Sequence, residues 1–131
     1  MRTVATFVML AMATATILSG CDQHVEKSQV VQSTAYTLAE SETKKGNVGL
    51  AAWGDQLEPG MKAIAVSRDL IKAGLVHNTT VTIEGLPGDY KVLDKMNKRW
   101  TNKIDILMAD PKRAREWGKK DVTIHWQESA P

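Results

Sequence analysis

Six short runs of β-branched and other apolar residues, set apart by turn-forming residues, limit what this chain can fold into. The runs are Val30–Thr37, Ala63–Val66, Thr80–Ile83, Tyr90–Leu93, Ile104–Met108 and Val122–Trp126. Glu58-Pro59-Gly60, Gly85-Leu86-Pro87-Gly88 and Gly118 supply turns between them, and residues 38–50 read as a polar, glycine-punctuated loop. Runs of this length suit strands and are too short for helices. Six such strands in a chain of 131 residues predict a small all-β fold, a closed barrel or a sandwich. One helix is predicted after Asp110: that residue caps, Pro111 suits the first helical position, and Gly118 suits the stop. Ala114 and Trp117, three apart, form its inward face. A second helical turn is predicted over Asp69–Ala73, ending at Gly74.

The first twenty residues are expected to lie outside the fold. Arg2 gives a thin positive start, Thr3–Leu18 is short and mostly apolar, and Leu18-Ser19-Gly20-Cys21 closes it. That pattern reads as an export signal rather than a spanning helix. Small residues before a cysteine resemble the lipobox of bacterial lipoproteins, which implies a lipidated Cys21. Cys21 is the chain's one cysteine, so no intramolecular disulfide forms. The expected organisation is a signal peptide over 1–20, lipidated Cys21 with a polar tether over 21–29, a domain over 30–126 and a tail over 127–131. The implied place is the bacterial cell envelope, lipid-anchored in the outer or inner membrane and facing the periplasm.

Losing Arg2 leaves 16 of the 17 Lys and Arg against 15 Asp and Glu, a near-neutral balance that disfavours nucleic acid as a partner. His24, His77 and His125 are scattered without ligand spacing, so neither metal nor cofactor is expected. Ser67 has no adjacent histidine pattern to make it a nucleophile.

The chemistry concentrates in residues 92–106, where Val92-Leu93-Asp94 and Ile104-Asp105-Ile106 are joined by a polar, basic loop. A carboxylate flanked by apolar strand residues points away from the core. Two such acids on adjacent strands can share a groove, the minimum equipment for acid/base work on a glycosidic bond. The plain alternative is turn capping, or pairing with Lys95 or Lys103.

These residues resemble the 3D domain, a family named for three aspartates. The likeness runs through Gly54…Leu57-Glu58-Pro59-Gly60, Ile64-Ala65-Val66, Val81-Thr82-Ile83-Glu84-Gly85, Asp94, Lys103-Ile104-Asp105 and Ala114-x-x-Trp117-Gly118-Lys119-Lys120-x-Val122-x-Ile124, with Thr34-Ala35-Tyr36 as the opening strand. It implies a double-psi β-barrel like the C-terminal part of membrane-bound lytic transglycosylase A, related to RlpA-like proteins and expansins. Asp94 matches the family's second aspartate, and Asp105, eleven positions on, its third. Ser67 stands where the first belongs; Asp69 substitutes if the strand runs on and cannot if a helical turn begins at Ser67. Lys95-Met96-Asn97 replaces the family's Thr-Gly-Gly.

The resemblance implies Asp94 as a single acid/base that protonates a glycosidic oxygen of peptidoglycan and closes a 1,6-anhydro ring, with Asp105 and Asp69 in support. Trp53 and Trp100, in loops beside the groove, are stacking candidates, with Asn97 and Lys103 as further substrate contacts; Trp117 and Trp126 read as core. The expectation is thus a monomeric envelope lipoprotein that cleaves glycan strands in peptidoglycan turnover. The alternative is a non-catalytic glycan-binding module of expansin type.

Overall fold

The computed structural model describes residues 24–38 and 49–129. The expected signal peptide, Cys21, most of the 38–50 loop and the last two residues of the expected tail lie outside the described residues. The element order is β1 (His24–Tyr36), β2 (Ala63–Val66), α1 (Arg68–Lys72), β3 (Thr80–Ile83), β4 (Asp89–Lys95), β5 (Lys103–Leu107), α2 (Pro111–Trp117) and β6 (Lys120–Ser129). No helix among the described residues is long and apolar enough to cross a membrane.

The six strands close into a barrel in the order β1-β5-β2-β4-β3-β6. β5 lies between the consecutive strands β1 and β2, parallel to the first and antiparallel to the second. β2 in turn lies between the consecutive strands β4 and β5, parallel to β4. Each pair thus opens to admit a strand of the other, and the two interlocked insertions are what defines a double-psi barrel. Closure leaves the central strands no free edge.

Alternation decides what each strand buries. Ile64, Val66, Val92, Ile104, Ile106, Val31, Val81 and Ile124 fill the interior and are fully buried. Trp126 joins them and Trp117 packs against them, as expected. A second cluster, Ala51, Leu57, Ala63, Leu93 and Leu107, lies on the outer face of β2, β4 and β5 under the 49–61 segment. α2 forms as predicted: Asp110 accepts from the Lys112 N–H at 2.9 Å, and Gly118 ends the helix at φ 64°. Trp117 Nε1 donates to Ser33 Oγ at 3.0 Å, which ties α2 to β1.

Two boundaries differ from the expectation. β1 starts at His24 and β6 runs to Ser129, so the stretches assigned to a tether and a tail are largely strand. Their ladder continues from Ser33↔Lys120 outward to His24↔Ser129. The residues there are polar because the ribbon's side chains are exposed, while its backbone groups find partners across the ladder. Polarity reported exposure and said nothing about pairing.

Candidate functional site

The site is a row of four residues across four strands. Ala65 on β2 pairs with Asp94 of β4 on one side and Asp105 of β5 on the other, and Asp105 pairs with Thr34 of β1. Asp105 is outward because Ile104 and Ile106, its neighbours, are fully buried inside. Asp94 reaches the same face by a different device. The β2–β4 register steps from Ile64↔Val92 to Ala65↔Asp94, leaving Leu93 as an extra, bulged residue. Without the bulge, strict alternation from inward Val92 would send Asp94 into the barrel. With it, Leu93 packs in the outer cluster and Asp94 follows on the same side. The two acids therefore share one face, about two strand spacings or ~10 Å apart at their Cα atoms.

Each carboxylate is held. Asp94 Oδ1 accepts the Ala52 N–H at 2.8 Å and the Lys95 N–H at 2.9 Å. Ala52 belongs to a tight turn closed by Gly54 N–H to Ala51 O and Ala51 N–H to Asp55 O. Asp105 Oδ1 accepts from Thr34 Oγ1 at 3.1 Å. Tyr36, two residues beyond Thr34 on the same face, packs in the outer cluster. Its buried hydroxyl has no partner among the described residues. Burial first, and then the charges of Asp94 and Asp105, hold that phenol far above its ordinary range. It stays a neutral donor beside two carboxylates.

The expected site residues divide. Asp94 and Asp105 come together. Asp69 does not join them: the helix begins directly after Ser67, Asp69 falls in its first turn, and its Oδ2 accepts the Asn102 N–H at 3.0 Å. Ser67 keeps the outward register instead, fully buried, with Oγ accepting the Lys103 N–H at 3.0 Å. Asn97 is a turn residue; its Oδ1 takes the Arg99 N–H at 3.0 Å and its carbonyl the Trp100 N–H at 3.1 Å.

Lys103 lies two residues from Asp105 on the same face, with its ammonium 3.7 Å from the Trp100 ring centroid. Arg99 stands 4.9 Å from that ring, so part of its surface is already covered by cations. Trp53 follows Ala52 and stacks on His77 at 4.9 Å and 29°, while His77 Nε2 meets Asp55 Oδ2. Thr34, Tyr36, Ala65, His77 and Asp55 were not legible as site residues, whereas Trp53 was expected there as a stacking candidate. Only the two-residue spacing of Thr34 and Tyr36 signals a shared face.

The acid row thus lies between the 49–61 cover on one side and Trp100 with Lys103 on the other. Among the described residues no cluster of His, Cys, Asp and Glu is arranged to hold a metal ion.

No protein-family model matches the sequence, and no curated protein matches it. Solved structures do. The apo expansin of Clavibacter michiganensis superposes with a TM-score of 0.54 at 14% identity, over 80% of this chain and 52% of the expansin. The chain therefore spans about half the length of that relative. The Streptomyces papain inhibitor superposes with a TM-score of 0.53 at 15% identity, over 78% of this chain and 94% of the inhibitor. At such identities the likeness is one of fold, and the fold common to all three is a small barrel of the double-psi kind.

Proposed function

We propose that this chain is a glycan-binding module of the bacterial cell envelope that holds peptidoglycan strands without cleaving them, in the manner of expansins. The observation that carries the reading is the half-buried row Asp94–Ala65–Asp105–Thr34, with Trp100 against Lys103 beside it and Trp53 next to Ala52, which donates to Asp94. Carboxylates and a hydroxyl held in a row accept and donate to sugar hydroxyls, and aromatic edges give a ring something to lie against. Two details favour binding over cleavage. Asp94 Oδ1 accepts two backbone N–H groups, an arrangement made for an acceptor and not for a proton donor. The bulky Lys95-Met96-Asn97 also follows Asp94 where the 3D-domain pattern has Thr-Gly-Gly.

One observation favours a second reading, in which Asp94 acts as the acid/base of a lytic transglycosylase. Asp94 and Asp105 share a face, with Asp94 Oδ2 accepting nothing among the described residues. In either reading the proposal includes a monomer anchored through lipidated Cys21 and facing the periplasm.

Purified peptidoglycan incubated with the protein and with its Asp94→Asn variant tests both readings. Sedimentation of the protein with the sacculus, with no soluble products by mass analysis, is the expected result. Anhydro-muropeptides released by the parent alone establish cleavage at Asp94. Failure of both proteins to sediment or to release products overturns the proposal. Movement of a Cys21→Ser variant from the membrane to the soluble fraction checks the anchor.

A further inference from the structure

Lys103 is 7% exposed, and no ion pair among the described residues neutralises its charge. Its described polar contact through the side chain is the face of Trp100, at 3.7 Å. An indole face offsets part of the cost of desolvating an ammonium, but it occupies one side of a group with three N–H donors. Buried charges are ordinarily paired. The Tyr36 hydroxyl and Trp126 Nε1 are the sealed side-chain atoms without a partner among the described residues, and Lys103 Nζ is not one of them, so its tip reaches solvent. The stem is buried, and the ammonium keeps a small contact with solvent.

The surroundings reinforce that charge. Residues 95–103 hold Lys95, Lys98, Arg99 and Lys103 and no acid, in a chain close to neutral overall. The nearest acid in the next segment, Asp69, is occupied by the Asn102 N–H. Along β5 the sign then reverses: Asp105 lies two residues, or about 7 Å, from Lys103 on the same face. The face is therefore dipolar, with an acid row and a cationic step beside it.

We infer that Lys103 and Trp100 form a subsite for a carboxylate carried by the bound sugar, so that the module selects acidic saccharides over neutral ones. This rests on the glycan-binding reading and names the ligand class of the same face. A neutral sugar offers hydroxyls to the acid row and leaves Lys103 unpaired. A free anion satisfies Lys103 and is repelled by the acids. A sugar acid does both, because it carries hydroxyls and a carboxylate on one molecule.

The test is nuclear magnetic resonance titration of the full chain, following the Trp100 indole N–H, with N-acetylglucosamine trisaccharide, its counterpart carrying a lactyl carboxylate, and acetate alone. The parent, Lys103→Met and Lys103→Arg are compared. The expected result is at least tenfold tighter binding of the acidic trisaccharide, lost in Lys103→Met and kept in Lys103→Arg. Raising the salt should weaken the acidic ligand selectively in the parent, a readout that needs no variant to fold. Equal affinity for both sugars, insensitive to salt, overturns the subsite and leaves glycan binding standing. Acetate moving the Trp100 resonance while neither sugar binds upholds the anion site and sinks the glycan-binding reading. No response to any of the three overturns both.

Discussion

Asp94 and Asp105 are each the register partner of Ala65, one across each edge of β2, so the smallest side chain in the row lies between the two carboxylates. Any ligand that reaches both acids passes over that methyl group. An Ala65→Leu substitution fills the space. It should cost about 1–3 kcal/mol of stability through overpacking. Binding to the sacculus should fall further, by ~10-fold or more, which corresponds to about 1.4 kcal/mol per tenfold. Sedimentation and thermal denaturation of the same variant separate the two effects.

The bulge at Leu93 is what puts Asp94 outside the barrel. Deleting Leu93 removes the extra residue, so Asp94 follows inward Val92 directly, alternation still turns it outward opposite Ala65, and only the outer cluster loses a leucine. The deletion variant should therefore keep a cooperative unfolding transition at reduced stability, because it loses packing without burying a charge. Leu93→Ala keeps the register and loses only packing, at about 2–5 kcal/mol. A deletion variant without a cooperative transition would show that the register depends on the extra residue.

Ser67 makes no cap bond to α1, yet its buried hydroxyl accepts the Lys103 N–H. Ser67→Ala leaves that N–H without an acceptor and should destabilise the protein by about 1–3 kcal/mol. Denaturant unfolding measures it. Amide exchange at Lys103 should accelerate more than at Ile104, whose environment is unchanged.

Tyr36 ties the site to alkaline stability. Its folded-state pKa is raised above the ordinary 10.0 by burial and then by Asp94 and Asp105, so the neutral phenol is favoured in the native state. Its effect on stability is nil below pH 10, where folded and unfolded states are both protonated. As the pH rises above 10 the unfolded chain ionises first, and native stability falls. Tyr90 is shifted the same way, by burial against an opposing pull from Arg113. Absorbance at 295 nm should therefore show less phenolate near pH 10 in the native protein than in the unfolded chain. Tyr36→Phe removes a buried hydroxyl that lacks a partner; it should leave neutral-pH stability unchanged or raised by ~1 kcal/mol, and flatten the alkaline loss.

Much of the barrel was legible because its signals are local. Ala63–Val66 and Thr80–Ile83 are strands with the bounds that their apolar runs mark, and Asp110, Pro111 and Gly118 delimit α2. The outer half of β1 was not, since His24–Gln29 carries polar side chains apart from Val25 and its pairing is a property of the distant β6. At the site, the outward turn of Asp105 follows from Ile104 and Ile106 alone. The outward turn of Asp94 depends on a bulge for which Val92-Leu93-Asp94 holds no local mark. Asp69 was misplaced because strand and helix share the residues after Val66, and Ser67 resolves the choice only through its contact with Lys103. The stack of Trp53 on His77 joins two loops by tertiary contact, which periodicity does not encode.

The ten-pair ladder between β1 and β6 joins the first strand to the last, and it governs how the molecule comes into being. β5 also pairs with β1 across some seventy intervening residues, so the barrel has few contacts it can form early. Folding that waits on distant partners is slow, because the entropy of closing long loops is lost before contacts repay it. Until Lys120–Ser129 is available, β1 lacks the partner for its outer half and the seam of the barrel stays open. A chain wired this way closes its barrel only once its last strand has been made.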